Sequence, residues 1–476
     1  MLFLPLLVLG IVLYIIGRRV SSALIFFFFC LDGYQIVPYP DVLFNTHLGI
    51  SKAYDFALIY VLFLFFYGLH RYKDFIPRNL MTRLIGLFTL LLFAVMAFSL
   101  FYYHIPASEV VRTIRPYFLV LAYFPLRRLT YEQYSKVVYA LWIITYAQSL
   151  LFILQAILGI PLLNDALGGN PADFIFKRYY NYPNLLYLAA YLSWFARYPF
   201  HSSLLRKSAL CIFSFAVYLT FSRAALAEYL FLIGIGYVLK MGGSNRWRML
   251  LVGIPAFLIF ISALAFVMLK AQGGRTATDI QNVMAGDFIE VAQSEAGAEF
   301  SIESDATFIF RMALTFERLL DVISTPSSLV LGKGLSTEGS AYTKNHFNYY
   351  IGLTTSQTGE VAQLDTADIS WSLLFLRFGI VGTVLYVTGF FVLAFYFLRT
   401  QKRLSLLYGP TETDSAPHSL GLALFIFMLM IFCNSLVSDS LYTITFYLPV
   451  LLFFDRPYLF SGDGEFEEKE AYAFHL

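Results

Sequence analysis

SALCIFSFAVYLTFSRAALAEYLFLIGIGYVLK, residues 208–240, is the stretch whose reading decides the fold. It holds more than 30 residues that are almost all apolar, whereas one crossing of a bilayer needs about 20. Read as a single helix, it would set Arg223 near the middle of the membrane, where an unpaired guanidinium is costly. Splitting it at Ser222-Arg223 gives two crossings, 208–221 and 224–239, with the polar pair at a membrane surface.

The whole chain follows the same pattern. Of its 476 residues 59% are hydrophobic, 18% aromatic and only 13% charged, and the mean hydropathy is +0.68. These values exclude a water-soluble chain and predict an all-α, polytopic helical membrane protein. Thirteen segments are expected to span, near 2–17, 20–38, 54–70, 84–103, 114–127, 137–160, 184–196, 208–221, 224–239, 249–269, 371–398, 419–436 and 440–455. The first is read as a retained helix, because Arg18-Arg19 follows the apolar run instead of preceding it. The net charge of +2 gives no reason to expect nucleic acid as a partner. Cys30, Cys211 and Cys433 all lie in apolar runs, with no spacing for a disulfide framework or a zinc site.

Basic clusters set the orientation. Arg18/Arg19, Arg71/Lys73/Arg78/Arg83, Arg127/Arg128/Lys136, Arg197/Arg206/Lys207, Lys240/Arg246/Arg248 and Arg399/Lys402/Arg403 fall in alternate loops, which the positive-inside rule assigns to the cytoplasm. The organisation is then ten helices over 1–270, an outer loop over 271–370, three helices over 371–455 and an acidic cytoplasmic tail over 456–476. The loop carries 13 Asp+Glu against 5 Lys+Arg. Within it, FIFRMALTFERLLDVI (308–323) spaces its apolar residues as a helix lying on or against the membrane. The two halves do not match in hydropathy, which counts against a two-half transporter.

The chain has no GxxxxGK[ST], HExxH or GxSxG motif. Asp365 and Asp368 in LDTAD lack a histidine at a matching offset, so no metal site is expected. What remains is a set of outer-face arginines: Arg112, Arg115, Arg178, Arg223 and Arg311. A guanidinium is always charged and its planar fork pairs bidentately with phosphate oxygens. Taken singly, each could equally be an interface anchor, but Arg223, in a two-residue break between apolar spans, is hard to explain that way. A nucleophilic step also needs a base, for which Asp368, Asp365 and His346 are candidates. Asp368 stands just before the apolar run from Trp371, where it could equally cap a helix.

Three stretches, in order, resemble the O-antigen ligase and Wzy-type polysaccharide polymerase superfamily of bacterial envelope glycosyltransferases. KRYYNYPNLLYLAAYL (177–192) resembles its Arg and Asn-Pro-Asn motif, and LTFSRAALAEYL (219–230) its Ser-Arg-Gly/Ala motif. Arg311, LVLGKGLS (329–336) and DISWSLLFLRFGIVG (368–382) resemble its loop arginine, Gly-x-Gly and closing Gly-x-x-Gly patterns. The resemblance spans roughly 140 to 400. It implies a GT-C-like fold at the bacterial inner membrane, with the active face outside. The implied enzyme is a metal-independent, cofactor-free, inverting glycosyltransferase with an undecaprenyl-pyrophosphate-linked donor and acceptor. Arg178, Arg223 and Arg311 would hold the pyrophosphate, with Arg112 and Arg115 behind them, and Asp368 would be the base or would orient the acceptor. Ligases typically carry His-Asn eleven residues before the first closing glycine; here Asp368 and Ile369 stand there, which favours a polymerase joining repeat units. A ligase moving a finished glycan to a lipid A core is the alternative, and a lipid-linked sugar transporter a more distant one. A chain-length regulator is a candidate partner.

Overall fold

An apolar surrounding cannot hydrogen-bond the backbone, so long apolar runs fold as helices, which satisfy their N–H and C=O groups internally. The structure is a computed structural model describing residues 3–35, 53–163, 168–169, 176–196, 202–240, 307–338, 340–347, 349–351, 364, 369–408 and 420–454. The first half holds α1 (Phe3–Ile15), α2 (Arg19–Cys30), α3 (Ala53–Arg71), α4 (Leu80–Phe101), α5 (Ala107–Ile114), α6 (Tyr131–Leu158), α7 (Leu186–Phe195), α8 (Ser203–Leu219) and α9 (Arg223–Lys240). The second holds α10 (Thr307–Ile323), α11 (Pro326–Leu331), α12 (Ala341–His346), α13 (Ser370–Tyr408) and α14 (Leu420–Asn434). A short antiparallel pair joins β1 (Gly168–Gly169) to β2 (Arg178–Tyr179).

Among the described residues four helices are long and apolar enough to cross a membrane: Ala53–Arg71, Leu80–Phe101, Glu132–Leu158 and Ser370–Thr400. Shorter apolar helices accompany them, among them α1, α2, α7 and α14. α4 is the clearest case. Its mean hydropathy reaches 2.6, yet Leu87, Leu90, Phe93 and Phe101 are 52%, 67%, 49% and 78% exposed. A continuous apolar stripe of this kind would be a liability in water, and it fits a lipid-facing surface.

The break at the end of the 208–221 run falls where the polar pair predicts it. α8 stops at Leu219, Phe221 takes a left-handed φ of 50°, and α9 begins at Arg223. Such a φ costs a non-glycine residue about 1–2 kcal/mol, and the cap beyond it holds the turn. Ser222 accepts hydrogen bonds from the α9 backbone, at Oγ from Ala225 N (3.3 Å) and at its carbonyl from Leu226 N (2.9 Å).

Two expected helices differ. Over 114–127 the chain winds as a 3-10 helix, Arg115–Ala122, and then a short α turn, Tyr123–Arg127. Pro125 lacks an N–H and its ring opposes the carbonyl four residues back, so one continuous α-helix cannot form. Over 440–455 the chain forms two 3-10 turns, Ile444–Phe446 and Leu448–Phe453, with Pro449 opening the second. The expected span 249–269, the loop up to 306, the tail 456–476 and the residues Asp365 and Asp368 lie outside the described residues.

The amphipathic helix expected at 308–323 is α10, and it lies against α13 and α11. α13 is not one smooth helix: at Gly379 the backbone leaves helical geometry, with φ 65° and ψ −175°. α14, buried on almost every side, packs against α7, α9 and α13.

Candidate functional site

The break in α13 frees carbonyls that a continuous helix would use, and the 329–336 segment fills the gap. Lys333 N donates to Leu376 O at 2.7 Å, and Tyr103 Oη donates to Gly332 O at 3.0 Å. Gly332 (φ 77°) and Gly379 (φ 65°) meet backbone to backbone. A Cβ on Gly379 would lie 2.7 Å from Gly332 N and from Ser328 O, and a Cβ on Gly332 would strike the backbone at Leu376, Arg377 and Gly379. Two glycine motifs well separated in sequence therefore form one seam that only glycine permits.

Beside the seam lies a network of charges. Arg318 of α10 is fully buried; its guanidinium pairs with Glu317, donates through Nε to Leu364 O (3.4 Å) and lies 4.0 Å from the Tyr349 ring centroid. Glu317 also accepts from the N–H groups of Tyr350 (2.6 Å) and Ile351 (3.3 Å). Burial outweighs these partners and holds the Glu317 carboxyl above the usual carboxylate range. Asp321 accepts from Tyr349 Oη at 2.9 Å and pairs with Lys333 Nζ at 2.7 Å, tying α10 to the seam.

A second cluster brings together the 177–184 segment, α9 and the turn after α14. Lys177 N donates to Ala156 O at 3.0 Å, so the β2 strand is anchored to α6. Gln35 Nε2 donates to Tyr182 O (3.2 Å) and Asn184 Oδ1 (3.4 Å), which fixes the Asn-Tyr-Pro-Asn segment. Tyr182 lies within electrostatic reach of Glu228 of α9 and of Asp439 in the turn after α14. That turn is stapled to the start of α13: Ser370 N donates to Ser435 O (3.0 Å), Ser370 Oγ to Ser438 O (2.9 Å) and Trp371 Nε1 to Ser435 Oγ (3.0 Å). Arg377, just before the break, lies 4.9 Å from the Tyr442 ring centroid.

The residues expected from sequence divide among these places. Arg178 lies on β2, half-buried, with its guanidinium 4.7 Å from the Tyr180 ring centroid. Arg223 opens α9; its backbone is described and its side chain is not. Arg311 is half-buried on α10. Arg115 is engaged elsewhere, its Nε 3.1 Å from Asp55 Oδ1 and its guanidinium against Tyr54. Arg112 is exposed on α5, whose Glu109 accepts from Thr337 N at 3.4 Å beside the seam. His346 is exposed at the end of α12, with Nδ1 3.0 Å from Tyr342 O and its ring stacked on that tyrosine.

Sequence reasoning missed Arg318, Lys333, Glu228, Arg377 and Asp439. Four of them stand in or beside apolar runs, and the rule that ionisable residues in such runs carry function or pair with a partner would have singled them out. Among the described residues no group of three His, Cys, Asp or Glu side chains gathers to hold a metal ion. An apolar groove of about 780 Å³, counting its open side, runs between α4, the second half of α13 and the 444–451 turns, lined by Leu87, Phe88, Leu385, Phe390 and Leu448. No protein-family model and no curated protein matches the chain.

Proposed function

We propose that this protein is a membrane glycosyltransferase of the O-antigen ligase and Wzy-type polymerase superfamily. In this reading it has thirteen crossings in the inner membrane and joins undecaprenyl-pyrophosphate-linked oligosaccharide repeat units at the outer face. The observation that supports it is the glycine seam. The Gly-x-Gly and Gly-x-x-Gly segments that carry part of the resemblance are in backbone contact, and Glu228 of α9 lies within electrostatic reach of Tyr182 in the Asn-Tyr-Pro-Asn segment.

In the proposed reaction the acceptor hydroxyl attacks the anomeric carbon while pyrophosphate leaves from the opposite face, inverting the centre. Charge neutralisation is what the leaving group needs most, so arginines replace a metal. Arg178, Arg223 and Arg311 take that role. Arg112 adds positive charge at the rim, while Arg115 has an anionic neighbour in Asp55. Asp368 orients the acceptor hydroxyl or takes its proton. The apolar groove beside α4 offers a path for a polyprenyl tail.

The test is product analysis. The purified chain in nanodiscs is given lipid-linked repeat units alone, beside Arg223→Ala and Asp368→Asn. The expected result is a ladder of growing chains, reduced at least 100-fold in Arg223→Ala, in line with the loss of a charge-stabilising donor. A single transfer that appears only when a lipid A core is supplied would make the protein a ligase. No transfer under either condition by folded protein would favour a transporter.

A further inference from the structure

Transfer to a hydroxyl releases a proton, and the cluster around α9 contains a carboxylate suited to receive it. Glu228 stands five residues beyond Arg223 on α9, about 7.5 Å along the helix axis. Its Oε1 is buried and has no hydrogen-bond partner among the described residues. Around it stand Tyr187 and Tyr191 of α7 and Cys433 and Asn434 at the end of α14. Tyr191 is fully buried and its hydroxyl likewise has no partner among the described residues. Asn434 directly precedes Ser435, whose carbonyl receives the Ser370 N–H, so Glu228 stands near the first turn of α13.

Among the described residues three other carboxylates in low-dielectric places have cations: Asp55 with Arg115, Glu317 with Arg318, Asp321 with Lys333. Glu228 forms no ion pair among the described residues. A carboxylate kept for stability would be paired, or replaced by an apolar residue at no loss; one that must bind and release a proton is left open.

Resting on the glycosyltransferase reading, the geometry points to Glu228 as the proton acceptor of the transfer. The acceptor oxygen forms its bond to the anomeric carbon, the bond from that carbon to the pyrophosphate oxygen breaks with its electron pair leaving on pyrophosphate, and the hydroxyl proton passes to the Glu228 carboxylate. The protonated acid then holds the proton until it passes to solvent. Asp368 is left the task of orienting the acceptor.

Azide separates this role from a structural one, because it attacks carbon without a proton to lose. The full chain in nanodiscs is given a lipid-linked repeat unit, with and without sodium azide, as wild type, Glu228→Gln and Glu228→Asp. In Glu228→Gln the turnover rate in chain growth is expected to fall at least 100-fold, the range of a lost general base, with the donor KM unchanged and any glycosyl azide formed at a rate within about threefold of wild type. Glu228→Asp, the variant used if Glu228→Gln fails to fold, retains partial chain growth with the same KM. Chain growth in Glu228→Gln within threefold of wild type overturns the assignment. So does a raised donor KM or an equal loss of both products, which marks a structural or donor-binding role. Wild type that neither extends the chain nor forms the azide defeats the glycosyltransferase reading itself.

Discussion

The two flanks of α13 treat buried charge in opposite ways. On the side of α10 and the glycine seam, Arg318, Glu317, Asp321, Lys333 and Tyr349 bind one another in a closed set. On the side of α7, α9 and α14, Glu228 and Tyr191 present polar atoms with no partner among the described residues. Desolvated charges that satisfy each other hold a shape, whereas desolvated groups left unsatisfied retain free energy that a substrate or a proton can release. The closed side fixes where the arms of the broken helix go, and the open side faces the Asn-Tyr-Pro-Asn segment.

The sharpest way to break this contrast is Arg318→Ala. It strips a fully buried guanidinium from Glu317 and from the Tyr349 face, and removing one partner of a buried pair costs roughly 3–5 kcal/mol. A large drop in the thermal midpoint of the detergent-solubilised protein is expected, and an unchanged midpoint would show that the network is not a structural lock. Gly379→Ala comes next. A methyl 2.7 Å from Gly332 N at a φ of 65° combines overpacking with left-handed strain, for roughly 2–4 kcal/mol. The same melting measurement reads it, and a change below about 1 kcal/mol would mean that the seam can open without loss. The smallest effect belongs to the open side. Glu228→Gln keeps the shape of a side chain without an ionic partner, so the midpoint is expected to move by no more than about 0.5 kcal/mol equivalent. A loss as large as that of Arg318→Ala would erase the distinction between the two flanks.

Much of the helical layout was legible because hydropathy and single polar interruptions carry it. The Ser222-Arg223 pair marked a break that the structure makes with Phe221 in a left-handed turn, and the period of 308–323 marked α10. The 3-10 segments at 115–122 and 444–453 were not legible as such. Their hydropathy equals that of a helix, and their conformation depends on the placement of Pro125 and Pro449. Arg223 stood out in the sequence because it interrupts apolar chain, and Arg178 because of its place before the Asn-Tyr-Pro-Asn segment. Glu228 escaped because a lone carboxylate one turn into an apolar helix changes a window average very little. Arg318 escaped because the amphipathic reading of α10 sends charges to the outside, while Glu317 and Tyr349 supply it with an interior.

The glycine seam also restricts how the molecule can move. The Leu376 carbonyl is held by Lys333, and Gly379 is pressed against Gly332 and Ser328, so α13 cannot slide along its own axis without tearing backbone from backbone. Piston motion is blocked at this point. A shift of the first arm of α13 therefore carries the 329–336 segment with it.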